Sequence, residues 1–376
     1  MFRFEVTKKL GEARLSRLDT PHGPIDGPFF QFVATRAAIR GLVFPEDLEQ
    51  MNVQIVLANT YHLHLQPGED IVAEAGGLHD FMQWQGPMTT DSGGYQVFSL
   101  GKNVKYDEDG VTFRSHLDGK ALRLTPESAM EIQRKLGPDI VMPLDVCTSF
   151  GATRDEVAAA VEQTHEWAKR CKAAHEGNDK QALYGIVQGG VFLDLRERSI
   201  EQLRALNFFG YSIGGELQEA GEGKKIAEVV PKVATQLPED KPRYLMGYGM
   251  PEDIVEAVRG GVDQFDCVLP VRNARHGQVM EQLNVDYLKQ CLVEADRPVD
   301  RTQLYSRYDI TKAAFKSDHS DFSPSHPVIQ KPYTKAYVHH LMRAETPAGM
   351  RLTVLHNIHF YAELMRAIRD IIGYTE

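Results

Sequence analysis

The strongest constraint on this chain is an alternation. Short, continuously apolar runs are separated by longer amphipathic segments. The runs are QIVLANT (54–60), PMTTDS (87–92), DIVMPLDVC (139–147), LYGIVQGG (183–190), YSIGG (211–215), RYLMGYG (243–249) and DQFDCVLP (263–270). Unbroken apolarity predicts strands covered on both faces, as in a parallel sheet. The intervening segments carry helix punctuation. Thr125 caps a helix with Pro126 in its first position, Thr153 and Glu156 have the spacing of a capping box, and Pro251 opens a stretch that ends at Gly260-Gly261. Strand, loop and helix in repetition predict an α/β fold of parallel strands joined by crossover helices. A barrel with insertions absorbs 376 residues as one unit.

Charge and cysteine usage narrow the class. The net charge of −10 gives no global field for nucleic acid, so such a surface must be local. Cys147, Cys171, Cys267 and Cys291 are far apart, which argues against a disulfide framework and a thiolate zinc cluster. No signal-peptide core and no run of membrane-spanning length is evident. A reduced, soluble, cytoplasmic enzyme without membrane contact is expected.

Polar residues gather near the C-terminal ends of the predicted strands: Asp91, Asp145, Gln188, Gly214-Gly215, Gly247 and Asp266. In a closed barrel these ends converge on the face where active sites are built. The segment FDCVLPVRNARHG (265–277) joins Asp266 in an apolar run to Arg272, Arg275 and His276, read as a basic loop. Paired carboxylates perform glycosidic chemistry, one as nucleophile and one as proton carrier, and Asp266 and Asp91 are the candidates. Asp145 has the acceptors for the donor edge of guanine, while Gln188 and a glycine N–H near Gly215 have donors for its O6. Tyr95 follows Gly93-Gly94 and offers a ring for stacking. Each of these residues alone serves equally well as a cap or turn residue.

TTDSGGYQVFSL, DIVMPLDVC, GIVQGG, RYLMGYGMPEDI and FDCVLPVRNARHG, in this order, resemble the tRNA-guanine transglycosylase family, as do LANTYHL, GGLHDFMQWQGP and AYVHHLMRAETPAGMRLTVLHNIHFY. The resemblance runs from about residue 5 to the C-terminus. It implies a (β/α)8 TIM barrel that exchanges guanine at the anticodon wobble position of a tRNA for a 7-deazaguanine base, on the route to queuosine. By position, Asp266 matches the nucleophile and Asp91 the general acid/base. Asp145, Gln188 and Gly215 match the base-reading groups, Tyr95 and Met246 the ring sandwich, and Ser92, Asn59 and Cys147 further pocket residues. Arg272 and Arg275 match anchors for the anticodon-loop backbone. The implied partners are tRNA, guanine or a 7-deazaguanine, and a second copy in a homodimer, with AYVHHLMRAE near that contact.

The chain departs from the family where its zinc site should be. The CxCxxC positions hold Ser325, Pro327 and Gln330, and only His356 remains of the ligands, so no metal cofactor is expected. A site rebuilt from Asp318, His319, Asp321 or His326 is the weaker alternative. Packing of Val328, Ile329 and Tyr333 is expected to replace the metal clamp. The expected organisation is a barrel core over 1–280, an inserted subdomain over 281–335 with added sequence near 301–323, and closing helices over 336–376. Val146, Tyr248, Val271, His276 and GGELQEAGEG (214–223) differ from the family pattern around the pocket edge. The competing readings are a non-catalytic tRNA-binding partner subunit, the same chemistry on DNA, and, least favoured, a small-molecule glycosidase.

Overall fold

In a computed structural model, residues 1–218, 225–294 and 296–375 are described. Eight parallel strands close into a barrel: β1 (Phe29–Ala34), β2 (Val56–Ala58), β3 (Met88–Thr90), β4 (Ile140–Val141), β5 (Ala182–Val187), β6 (Gly210–Ile213), β7 (Arg243–Leu245) and β8 (Gln264–Cys267). Each pairs with its sequence neighbour, and β8 closes on β1 with Asp266 opposite Gln31 and Cys267 opposite Phe32. The fold is therefore the (β/α)8 barrel. Seven strands follow the seven apolar runs. The eighth, β1, was not expected. It follows three antiparallel strands, Arg3–Leu10, Ala13–Thr20 and Gly23–Gly27, and its run FFQFVA reads as one more member of that meander.

The helix signals act as read. Thr125 Oγ1 accepts from the Ser128 N–H at 3.2 Å. Thr153 and Glu156 bond reciprocally, the Glu156 carboxylate taking the Thr153 N–H at 2.8 Å. Pro251 begins the helix Pro251–Arg259. The closing helix Pro347–Tyr374 buries Phe360, Leu364, Ile368 and Ile372 and packs along β1 and the segment after β8. It thereby fills the outer ring where the barrel closes.

Two additions decorate the barrel. Between β3 and β4 a three-stranded antiparallel sheet, Lys102–Asp107, Gly110–Arg114 and Ala121–Leu124, brings Tyr106 and His116 towards the mouth. After β8, the segment without strand periodicity does contain a strand: Ser306–Asp309 pairs antiparallel with Gln278–Glu281. Val279, Ile310, Phe322 and Val338 form a small core for this lobe. Ile329 is buried, and Val328 and Tyr333 lie half-buried against the main core. Among the described residues no helix is long and apolar enough to cross a membrane.

Candidate active site

The site is built from residues just beyond the strand ends. Asp91 follows β3, Asp145 follows β4, Gln188 follows β5, Gly214-Gly215 follow β6, Met246-Gly247 follow β7, and Asp266 lies within β8. Parallel strands point all these ends to one face, so residues spread over 175 positions share one mouth.

Asp91 is held by the start of the helix Thr60–Leu65. Its Oδ1 accepts the Thr60 N–H at 3.0 Å and the Gly93 N–H at 3.1 Å, and its Oδ2 accepts from Asn59 Nδ2. Asn59 cannot turn its amide freely, because its Oδ1 caps the same helix by accepting the His62 N–H at 3.1 Å. Asn59 thus orients Asp91. Gly93 sits at φ +84°, a backbone a larger residue resists, and this turn brings its N–H back to the carboxylate. Burial, offset by the Thr60 N–H and reinforced by the charges of Asp266 and Asp145, raises the Asp91 carboxyl to about 7. Asp91 therefore feels both other carboxylates across the barrel mouth.

Asp266 carries two hydrogen bonds, both on one oxygen. Tyr244 Oη donates to Oδ1 at 2.6 Å and the Gly247 N–H donates to it at 2.8 Å. Oδ2 has no hydrogen-bond partner among the described residues. Burial raises the Asp266 carboxyl, and the two donors pull it back down. Tyr244 was not identified from sequence, and Gly247 was placed at its strand end without this bond to Asp266. Tyr244 is a buried strand residue whose phenol meets Asp266 only because β7 and β8 pair.

The base-reading candidates form a second group. Gln188 Nε2 donates to Asp145 Oδ2 at 2.7 Å, and the Cys147 thiol approaches the same oxygen at 3.7 Å. Burial raises Asp145 to about 6, and burial with the Asp145 charge raises the Cys147 thiol further from ionisation. Gly215, at φ +81°, lies so near Gln188 that a Cβ would stand 2.4 Å from Oε1. Arg196, unforeseen in sequence, is fully buried behind this group. It donates to the carbonyls of Val187, Gly190 and Gly214 and so fixes the ends of β5 and β6 together. Ser92 is buried, its Oγ accepting the Gly94 N–H at 3.3 Å.

At the rim, Tyr95 is 60% exposed and Met246 is half-buried against the small core that includes Met142, Ile186 and Tyr244. Arg272 and Arg275 do not lie on a loop: they sit on a short helix, Leu269–Arg275. Pro270 suits its first turn, which explains why an apolar run turns directly into helix. Val271 is buried beneath it and His276 is its C-cap. Tyr248 Oη accepts the Leu217 N–H at 2.8 Å and donates to Glu216 at 3.3 Å. Val146 donates its N–H to Thr164 Oγ1 at 3.0 Å. Of GGELQEAGEG, residues 219–223 lie outside the described residues. Beside Gly215 and Gln188 a cavity of about 150 Å³ is lined by Thr148, Ser149, Gly190, Phe192, Glu216 and Gln218, among others.

The zinc positions of the resembled family do not fit a metal. His356 Nδ1 engages Ser323 Oγ at 2.9 Å and Nε2 engages the Met280 carbonyl at 2.8 Å, so both ring nitrogens are occupied. Burial depresses the ring to about 4 and keeps it neutral. Ser325 and Gln330 are exposed and Pro327 has no donor atom. His326 is buried; its Nδ1 accepts the N–H groups of Val328 and Ile329, and Nε2 donates to the Leu355 carbonyl at 3.1 Å. Among the described residues, no three His, Cys, Asp or Glu side chains converge in this lobe. His319 and Asp321 are exposed, and Asp318 is used by Ser320, so the rebuilt site has no geometry behind it.

Comparisons with known proteins cover nearly the whole chain. The sequence model described as TGT, queuine tRNA-ribosyltransferase, matches residues 9–375. A queuine tRNA-ribosyltransferase of Halothermothrix orenii is 46% identical over 361 residues, 96% of this chain and 90% of the relative. Those of Acetivibrio thermocellus and Moorella thermoacetica are each 44% identical, over 98% and 96% of this chain and 93% and 90% of the relatives. With the family model matching nearly the whole chain and relatives at 44–46% identity across it, the chain belongs to the queuine tRNA-ribosyltransferase family.

Proposed function

We propose that the chain is a tRNA-guanine transglycosylase working by double displacement through Asp266. The carboxylate Oδ2 attacks C1′ of the target ribose, the bond from C1′ to N9 breaks, and guanine leaves with a proton from Asp91. An Asp266–ribosyl ester remains. Asp91, now ionised, takes the N9 proton of the incoming base, whose nitrogen attacks C1′ and releases the Asp266 carboxylate. A glycosyl ester stores the bond for the second step, so the exchange is near balance and consumes no nucleoside triphosphate. The target nucleotide must leave its stack to reach the mouth.

The observation that carries this reading is the electrostatic coupling of Asp91 to Asp266 and Asp145. A group raised to about 7 is divided between acid and base at neutral pH, which suits a proton carrier used twice. Asp145 and Gln188 supply acceptor and donor for a guanine edge, with Tyr95 and Met246 as ring contacts. The cavity beside Gly215 gives room for a substituent at position 7 of a deazaguanine, with Glu216 held on its rim by Tyr248. Arg272 and Arg275 would hold phosphates. The intact carboxylate set favours a working enzyme over a non-catalytic partner subunit. Pairing of two copies is part of the proposal, as is folding of the C-terminal lobe without zinc.

Radiolabelled guanine exchange into unmodified tRNA tests the activity. Label enters with the wild type and not with Asp266→Ala. Absence of label with the wild type overturns the reading, and duplex DNA in parallel reports the polymer. Competition by a series of 7-deazaguanines with growing substituents identifies the incoming base.

A further inference from the structure

Arg272 and Arg275 have neighbours that linear sequence does not reveal. Because β8 pairs with β1, the segments leaving these strands start side by side at the mouth. The segment after β1 carries Arg36 and Arg40, both exposed. Arg272 and Arg275 lie three apart on their helix, on adjacent turns. None of the four arginines forms an ion pair or donates a side-chain hydrogen bond to another described residue. The Arg275 Nε is buried without a partner.

The charges are within reach of one another. Arg275 is lowered by burial first, then by Arg40 and Arg272. His62 is depressed to about 4 by burial, then by Arg36, His116 and Arg40. Its Nδ1 is also buried and unpartnered. His62 sits in the helix whose first residue, Thr60, holds Asp91, so the segment after β1 and that helix share one side of the mouth. Four like charges without counter-ions oppose folding, and a chain of net charge −10 has carboxylates to spare for them. Their placement makes sense once an outside anion joins them.

We infer that Arg36 and Arg40 complete, with Arg272 and Arg275, a four-arginine surface that grips backbone phosphates of a single-stranded RNA loop flanking the nucleotide over Asp266. The inference rests on the proposed transglycosylase reading and adds to it two residues from another strand end. The contacts are sequence-blind: they position the strand, while the pocket reads the base.

The test is direct binding of unmodified tRNA, followed by fluorescence anisotropy over a range of salt, with exchange kinetics alongside. For Arg36→Ala/Arg40→Ala the affinity falls about tenfold or more, and the slope of log affinity against log salt becomes shallower by about 1.4, near 0.7 for each single-strand phosphate lost. Arg36→Lys/Arg40→Lys keeps most of the slope. The melting temperature does not fall, because the wild-type side chains hold nothing within the protein and their removal relieves like-charge repulsion. At tRNA concentrations below its Kd, exchange falls in step with the lost affinity. Unaltered affinity and slope in the alanine variant overturn the inference. A wild type that binds tRNA without exchanging guanine overturns the transglycosylase reading instead, because binding is measured without turnover.

Discussion

Tyr244 and Asp266 meet across neighbouring strands, the phenol donating at 2.6 Å to the one carboxylate oxygen that also takes the Gly247 N–H. Both donors sit on Oδ1, which leaves Oδ2 pointing free. Tyr244→Phe removes a hydrogen bond to a charged group, an interaction of about 1.5–3 kcal/mol. Exchange activity should fall roughly 10- to 100-fold in kcat/KM. Because the Tyr244 bond lowers the Asp266 carboxyl, its loss moves the acid limb of the pH–rate profile upward. An acid limb that stays in place would separate Tyr244 from the nucleophile.

The raised carboxyl of Asp91 predicts a falling limb in the same profile. In the proposed mechanism, displacement of guanine needs Asp91 protonated and Asp266 ionised, so kcat/KM for exchange rises at acid pH and declines above about 7. The two limbs belong to the coupled carboxylates together. Asp91→Asn keeps the shape but cannot carry the proton, and should lose at least about 100-fold in activity together with the alkaline limb. Stopped-flow or discontinuous exchange assays from pH 5 to 9 decide this.

Asp145 links the site to stability. Its folded carboxyl is raised to about 6 from 3.8, so the folded chain holds a proton there that the unfolded chain has lost. The contribution is greatest at acid pH and is lost as pH rises from about 4 through 6. Asp145→Asn removes this dependence, and chemical denaturation should show a flatter stability curve over that window by about 2 kcal/mol. The same variant should raise the KM for guanine more than it lowers kcat.

Gly215→Ala places a methyl 2.4 Å from Gln188 Oε1 on a backbone at φ +81°. The strain costs about 1–3 kcal/mol and is relieved most simply by moving Gln188 off Asp145. Guanine affinity should drop roughly tenfold, measured by calorimetry, while tRNA affinity holds. Unchanged guanine binding would remove Gln188 from the base-reading group.

For the C-terminal lobe, elemental analysis of the purified protein should find far less than one zinc per chain, and a strong chelator should leave the melting curve in place. His326→Ala strands the N–H groups of Val328 and Ile329 and the Leu355 carbonyl, and should cost about 2–4 kcal/mol. Stoichiometric zinc, or melting shifted by chelation, would contradict a metal-free lobe.

The parts of the site legible in sequence are those carried by linear runs. Asp91, Asp145, Gln188 and Asp266 each end an apolar stretch, so strand reading alone brings them to one face. Residues joined by barrel closure were not legible. Tyr244 reaches Asp266 through the β7–β8 pairing, Arg40 approaches Arg275 through β8–β1, and Arg196 spans the ends of β5 and β6. None has a local signal beyond its own residue type. The same holds for His326, which sits in a polar stretch that reads as a solvated loop. It is buried because the closing helix offers the Leu355 carbonyl 29 residues on. The expected apolar replacement for the zinc site, Val328, Ile329 and Tyr333, does pack on the core. The polar half of that arrangement, the His326 and His356 rings, depends on partners remote in the chain.

The central claim is that Asp266 becomes bonded to the ribose, and peptide mapping of the denatured complex tests it most directly. Enzyme mixed with labelled tRNA is quenched in acid, resolved on a denaturing gel, and the shifted band is digested and analysed by mass spectrometry. A ribosyl adduct on Asp266, absent in Asp266→Ala and retained in Arg272→Ala, is the predicted result. An adduct on another residue, or guanine exchange that proceeds in Asp266→Ala, would contradict the account.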